Sequence, residues 1–109
     1  MAGPERPVVW SSAALADLAD LWSHYATVAG RLTADKTVRD VGEACRTIAA
    51  RPFAGRSRND VRPGLRSIAA GAVVVVFCRV GRDERIEVLR VLDRRKDVEE
   101  GPVGEPERR

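Results

Sequence analysis

The chain has 109 residues, of which 44% are hydrophobic and 32% are charged, and its formal net charge is +3. This length suits one domain that buries about 65% of the surface exposed by its unfolded chain. The first ten residues lack the apolar core of a signal peptide, and no segment is apolar over the length of a transmembrane helix. We therefore expect a globular, cytoplasmic protein that makes no membrane contact.

The two cysteines do not form a pattern typical of a disulfide framework or a metal site. Cys45 falls on the apolar face of a predicted helix and Cys78 falls in an apolar strand, where small core residues are expected. One histidine without paired cysteine spacing does not favour a structural zinc site. The sequence predicts neither a metal nor a cofactor.

The first half of the chain predicts a short strand followed by two helices. The apolar run over 7–11 predicts the strand, and Ser11 or Ser12 is expected to cap a helix over 13–29. Gly30 ends this helix because glycine takes the left-handed conformation at little cost. The apolar positions of this helix, spaced by three and four, are Leu15, Leu18, Trp22, Tyr25 and Ala29. This stripe and the first strand predict that Trp22 and Trp10 are core residues.

The second helix is expected to begin with Thr33 as its cap and to end at Arg51, because Pro52 disfavours helical geometry in the preceding residue. A connection of about three residues then makes the two helices an antiparallel hairpin. The apolar stripe of the second helix is Ala34, Val38, Val41, Cys45 and Ile48.

The second half predicts three strands, over 65–69, 72–80 and 85–93. The middle run is β-branched and apolar on both faces, as in a central strand. In the last run, Ile86, Val88 and Leu92 are expected on one face, and Leu89 and Val91 on the other. The predicted fold class is α+β, in the order β-α-α-β-β-β, with the helix hairpin on one face of a small, mainly antiparallel sheet. We expect a single domain over 1–98 and a disordered tail over 99–109.

Positive charge is concentrated after the helices. Residues 1–50 carry five basic and six acidic groups, whereas residues 51–98 carry twelve and six. The run over 55–67 holds Arg56, Arg58, Arg62 and Arg66 against Asp60 alone. Such asymmetry indicates an anionic partner, either nucleic acid or an acidic protein. The alternative is a solvated loop in a chain that prefers arginine throughout, with 17 arginines against 2 lysines.

Further arginines lie toward the end of the predicted sheet. Arg90, Arg94 and Arg95 are candidate target-binding residues together with the four arginines of the loop, because guanidinium groups make two-point contacts with phosphates and carboxylates. The alternative for Arg79 and Arg90 is a local pair with Glu87 or Asp93.

Four motifs occur in a fixed order: SSAALADL, RPFAGRSR, VRPGLRSI and IEVLRVLDRRKDV. In this order, and with the predicted β-α-α-β-β-β pattern, the chain resembles the RelE/ParE family of toxins from bacterial type II toxin–antitoxin modules over about 8–98. It is more similar to the ParE branch. Two positions depart from the ParE pattern. Asp93 stands where histidine is frequent, and in the strand AVVVVFC a valine stands where an aromatic residue is frequent.

The resemblance implies a toxin that a cognate antitoxin, ParD-like or of another class, holds inactive in a hetero-oligomer. ParE relatives are associated with poisoning DNA gyrase, and RelE relatives with cutting mRNA on the ribosome. Because one helix pair covers only one face of the central strand, we expect the antitoxin to cover the other face at Val73, Val75 and Phe77.

The residue types do not favour a nuclease. Metal-free RNA cleavage needs a general base and a general acid, and arginine serves as neither because it stays protonated. Tyr25 lies on the predicted core stripe, and His24 is placed to pair with Asp20 on the helix surface. The carboxylates of Glu87 and Asp60 remain open as proton acceptors. We therefore favour a non-enzymatic gyrase inhibitor over a ribosome-dependent endonuclease, and both over a binding module or a decayed toxin.

Overall fold

A computed structural model describes residues 5–94 of the chain. Its elements, in order, are β1 (Val8–Trp10), α1 (Ser12–Ala29), α2 (Arg31–Ala50), a 3-10 turn (Pro52–Ala54), β2 (Arg56–Ser57), β3 (Arg66–Ala70), β4 (Val74–Val80) and β5 (Ile86–Asp93). The predicted fold class is confirmed, with one short strand, β2, that was not predicted. The predicted tail over 99–109 and the candidate Arg95 lie outside the described residues.

A single residue joins the two helices of the hairpin. Ser11 caps α1, since its Oγ accepts a hydrogen bond of 2.9 Å from the amide of Ala14. Gly30 has a φ of 97° and is both the C-cap of α1 and the N-cap of α2. The prediction that Thr33 caps the second helix was therefore wrong. The positive φ of one glycine reverses the chain, so no three-residue linker is needed.

The buried stripe of α1 differs from the predicted one. Ala14 and Leu21 are buried against the sheet, and Leu18 and Tyr25 pack beside them. Trp22 is only half-buried, and its Nε1 donates a hydrogen bond of 2.9 Å to Oδ1 of Asp35 on α2. The prediction that Trp22 is a core residue was wrong, because this indole lies between the helices near their surface rather than on the sheet. Trp10, by contrast, packs against the core.

The predicted stripe of α2 is largely confirmed. Ala34, Val41, Cys45 and Ile48 are buried, and Val38 is half-buried. Cys45 and Cys78 are free thiols in the core, as predicted. Burial raises the pKa of the Cys45 thiol to about 11 and that of the Cys78 thiol to about 12.

The five strands form one mixed sheet in the order β1-β5-β4-β3-β2. β1 runs parallel to β5, and every other neighbouring pair is antiparallel. A bulge interrupts the β4–β5 pair, because Phe77 lies opposite Arg90 whereas Cys78 lies opposite Val88. Leu89 is the extra residue.

This bulge changes which side chains of β5 share a face. Ile86, Val88 and Val91 all pack in the core under the helices, whereas Leu89 and Leu92 pack on the other face. The prediction that Leu92 accompanies Ile86 and that Val91 opposes them was wrong. An extra residue in one strand reverses the alternation of side chains beyond it.

The face of the sheet opposite the helices, here called the open face, carries its own small core. Phe77 is fully buried there with Leu65 and Leu92, and Val61, Val75 and Leu89 pack around them. Leu65 and Val61 belong to the loop that follows β2, so the chain itself covers Phe77. The prediction that an antitoxin contacts Phe77 is not compatible with this burial, whereas Val73 is 38% exposed.

Candidate functional site

The arginine-rich loop, residues 55–67, folds across the open face as a series of tight turns. The amide of Arg58 donates to the carbonyl of Leu65 at 2.8 Å, and the amide of Val61 donates to that of Arg58 at 2.9 Å. Gly64, with a φ of 81°, donates its amide to Oδ1 of Asn59 at 2.8 Å. These bonds hold the loop in a defined shape, so its arginines project from a fixed backbone.

Arg58 is built into the small core of the open face. Its guanidinium lies 5.5 Å from the centroid of the Phe77 ring, and its side chain is only 19% exposed. Oδ1 of Asp60 lies 3.9 Å from Nε of Arg58, within ion-pair distance. Arg58 therefore covers Phe77 and contributes a partly screened charge to the surface.

Arg66 points to the other side of the sheet. It lies opposite Cys78, which packs against Ile48 of α2. Its Nη1 donates a hydrogen bond of 2.7 Å to the carbonyl of Gly55, and its guanidinium lies 4.8 Å from the centroid of the Phe53 ring. Arg66 is thus separated from Arg58 by the thickness of the sheet.

Arg56 and Arg62 are the candidates available to a partner on the loop. Arg56 is exposed on the edge strand β2, and Arg62 is half-buried. Within residues 5–94 neither forms a salt bridge. Because a guanidinium stays charged at any working pH, each supplies a permanent cation to the open face.

A groove of about 670 Å³ lies at the far end of the open face. Pro63 and Gly64 form one wall, and Arg79, Arg82 and Glu87 contribute to the other. Arg79 Nε donates to Oε1 of Glu87 at 2.6 Å, which is the local pair that the sequence left open. Arg82 is exposed in the β4–β5 turn, and nothing in the sequence pattern distinguished it from the other arginines.

The remaining candidates lie apart from this groove. Arg90 is bound to Asp17 of α1 through Nε and Nη2, so its guanidinium connects β5 to the helices. Arg94 is exposed just after β5, and its amide donates to the carbonyl of Val73 at 2.7 Å. The predicted arginines therefore do not form one cluster, because Arg66 lies on the other face of the sheet and the arginines that line the groove are Arg79 and Arg82.

Histidine, tyrosine and the one described lysine lie in the helical layer. The Tyr25 hydroxyl donates a hydrogen bond of 2.9 Å to Oδ2 of the buried Asp93. His24 is exposed and contacts the ring of Tyr25 edge-on, at 5.0 Å between centroids, rather than pairing with Asp20. Lys36 pairs with Asp40 at 3.0 Å, as expected for an i,i+4 pair. The carboxylates near the arginine-rich loop are that of Asp60 and, across the groove, those of Asp83 and Glu87.

Two features bear on other classes of site. Across the part of the chain that the structure describes, no group of three or more His, Cys, Asp or Glu side chains is arranged to hold a metal ion. In the same part, neither helix has the length and apolar character needed to cross a membrane.

The sequence and the overall fold place this chain among known proteins. The family model described as "ParE toxin of type II toxin-antitoxin system, parDE" matches residues 8–98. The chain belongs to the ParE toxin family. Its relatives include Toxin ParE1 of Mycobacterium tuberculosis, 36% identical over 89 residues that cover 82% of this chain and 90% of the relative. Toxin ParE1 of Caulobacter vibrioides is 36% identical over 87 residues, with 80% and 88% covered.

Solved structures give the same ParE fold. A chain of the chromosomal ParDE toxin–antitoxin system from P. aeruginosa superposes with a TM-score of 0.70 and 26% identity, over 82% of this chain and 96% of that one. A YoeB/ParE toxin from Agrobacterium tumefaciens superposes with a TM-score of 0.57 at 20% identity, over 80% and 96%, and shares the fold.

Proposed function

We propose that this ParE-family toxin inhibits DNA gyrase by binding rather than by catalysis, and that a cognate antitoxin neutralises it in the cytoplasm. The family match over residues 8–98 supports the function as a toxin. The similarity to a chain of a ParDE system supports an antitoxin as its partner. The observation that carries the binding mechanism is the cationic open face, where Arg79 and Arg82 line the groove and the arginine-rich loop, which carries Arg56 and Arg62, forms its other wall through Pro63 and Gly64.

The electrostatics of this face favour contact over proton transfer. Both of its candidate carboxylates lie within ion-pair distance of an arginine: Asp60 at 3.9 Å from Arg58, and Glu87 at 2.6 Å from Arg79. Permanent cations on a rigid loop attract an anionic surface and fix its orientation. They stabilise charge in a complex without exchanging protons.

A second candidate function rests on the groove itself. Glu87 is a carboxylate beside Arg79 and Arg82, and this arrangement offers one base next to cations that would stabilise a phosphorane. Ribosome-dependent mRNA cleavage is therefore the alternative activity, with Glu87 as its general base.

The antitoxin surface is proposed at exposed apolar side chains rather than at Phe77. Val73 is 38% exposed just before β4, and Val75 is half-buried on the open face. An apolar segment of the antitoxin that packs against these two valines would form a toxin–antitoxin hetero-oligomer.

The deciding experiment measures supercoiling by purified gyrase and the integrity of mRNA in a translating extract, with the same toxin preparation. We expect gyrase inhibition and intact mRNA. Arg56→Ala, Arg62→Ala and Arg82→Ala should each weaken inhibition severalfold, because each removes one contact, whereas Arg39→Ala on the exposed face of α2 should not. If the wild type cuts mRNA at specific codons, Glu87→Gln does not, and gyrase is unaffected, then the protein is a nuclease and not a gyrase inhibitor.

A further inference from the structure

An aromatic ring stands on the surface where α2 meets the sheet. Phe53, in the 3-10 turn after α2, is 78% exposed. One part of its ring is covered by the guanidinium of Arg66, 4.8 Å from the centroid. The other ring surface is left open to solvent, although burying a phenylalanine side chain is favourable. The chain therefore presents an aromatic surface that a partner can cover.

The ring is held in place by a rigid turn. Pro52 is buried beneath it, and the amide of Ala54 donates to the carbonyl of Arg51 at 2.9 Å. Gly55 is packed so closely that a Cβ there would lie 3.1 Å from Cδ1 of Ile48. Arg66 donates to the carbonyl of the same glycine at 2.7 Å, so turn and guanidinium are fixed to each other. A partner would meet a preorganised surface, which reduces the entropy lost on binding.

The surroundings of Phe53 carry one sign of charge. The segment over 44–59 contains no carboxylate and four arginines, namely Arg46, Arg51, Arg56 and Arg58. Arg51 is exposed two residues before Phe53 and forms no salt bridge within residues 5–94. An anionic ligand would meet this cation without having to displace an acidic side chain bound to it.

We propose that Phe53 and Arg66 form a stacking site for a nucleobase, and that Arg51 binds a flanking phosphate of a single-stranded nucleic acid. Bases stack on exposed aromatic side chains whatever their identity, and arginine contributes through its planar cation. The site lies at the edge of the sheet, and Phe53 does not line the groove at Arg79. It is a binding activity separate from gyrase inhibition.

Single strands fit this surface better than the other anionic partners. In a duplex the bases are already stacked on each other and hidden, so the ring of Phe53 would gain nothing. An acidic peptide would neutralise Arg51 but leave the ring uncovered. A single strand brings a flat apolar base and a negative phosphate in every repeating unit.

The test is fluorescence anisotropy of the full chain with labelled twelve-nucleotide strands of oligo-dT and oligo-rU and with a twelve-base-pair duplex. We expect both single strands to bind more tightly than the duplex, and the ratio of oligo-dT to oligo-rU affinity to show whether DNA or RNA is preferred. Phe53→Ala should weaken single-strand binding about tenfold or more. Phe53→Leu should weaken it in the same direction, because it keeps apolar bulk but loses the ring. Arg51→Ala should lower the salt dependence by about 0.7 in log–log slope.

Leu32→Ala is the matched control, because Leu32 is 84% exposed in the first turn of α2, at the opposite end of that helix, and should not affect binding. The proposal is overturned if Phe53→Ala binds single strands as wild type does, or if the duplex binds equally well. It is also overturned if Phe53→Ala weakens only the complex with the antitoxin, which would assign the surface to a protein partner. A Phe53→Ala toxin that loses single-strand binding yet still inhibits gyrase supports this site as a separate activity.

Discussion

Asp17 on α1 and Arg90 on β5 are joined by a two-point hydrogen bond, with Nε and Nη2 of the arginine 2.7 and 2.8 Å from the two carboxylate oxygens. The amide of Val91 donates to the same carboxylate at 2.9 Å. The Asp17 side chain is only 11% exposed, so solvent screens this pair weakly. The first helix is thereby connected to the strand just after its bulge.

Asp17→Ala should lower the free energy of unfolding by about 2–3 kcal/mol, because it removes hydrogen bonds to a charged group and leaves the Val91 amide without that acceptor. Urea unfolding checks this as a lower midpoint with an unchanged slope. Asp20→Ala is the matched control, since it makes the same change at an exposed position of the same helix. Equal losses for the two variants would mean that the Asp17–Arg90 pair contributes nothing to stability.

Arg58 and Arg56 should behave differently although they are two residues apart. Arg58→Ala uncovers the Phe77 ring and should destabilise the fold by about 1–2 kcal/mol. Arg56→Ala removes an exposed side chain and should leave the melting temperature unchanged. Thermal melts of the two variants make the comparison, and an unstable Arg56→Ala with a stable Arg58→Ala would contradict the arrangement described for the loop.

Two glycines should respond to alanine with opposite signs. Gly71 has a φ of 66°, and a Cβ there would lie 2.5 Å from Oδ2 of Asp40, so Gly71→Ala should cost about 1–2 kcal/mol. Gly42 lies inside α2, where a Cβ would meet only Nη1 of Arg46 at 3.8 Å. Gly42→Ala should therefore stabilise the protein by about 0.5–1 kcal/mol. Chemical unfolding of both variants tests the signs, and a destabilised Gly42→Ala would indicate a contact that this packing does not contain.

Stability should fall in alkaline solution because of the two core thiols. Burial raises the pKa of Cys45 to about 11 and that of Cys78 to about 12, whereas a thiol in the unfolded chain titrates at about 8.5. Above that lower value the unfolded chain loses protons that the folded chain retains, so unfolding becomes more favourable as the pH rises toward 11. The decline is about 1.4 kcal/mol per pH unit for each thiol.

Urea midpoints measured between pH 8 and pH 11 check this prediction. Cys78→Ala should reduce the alkaline slope by about half, since one of the two titrating thiols is gone. A slope identical to that of the wild type would show that other groups cause the decline.

The sequence predicted the order and type of the main elements because their periodicity is strong, but it did not determine the rotation of α1. Two stripes with spacings of three and four share Leu18 and Tyr25 in this helix. One adds Leu15 and Trp22, and the other adds Ala14 and Leu21. Alanine and leucine residues occur on all sides of this helix, so the sequence does not show which stripe is buried. The packing of the helix on the sheet decides this, and it buries Leu21.

The sequence located the segment that carries the candidate site, but it did not show which side chains of that segment form a surface. The charge count located the arginine-rich loop, yet nothing in the spacing distinguishes Arg58, which covers Phe77, from the exposed Arg56. The bulge at Leu89 was equally unpredictable, because a β-branched and leucine-rich strand satisfies either alternation of faces. Phe53 had one signal, an aromatic residue directly after the proline that follows α2.

The parallel pairing of β1 with β5 has a consequence for biosynthesis. Val8 lies beside Ile86, and Trp10 lies beside Val88, so the first strand to leave the ribosome must wait for the last strand before it has a partner. Contacts of such long sequence separation form late and slow folding. A nascent chain released before residue 86 lacks the strand with which β1 pairs. The cell therefore carries this toxin in a folded form only when translation has proceeded through almost the whole domain.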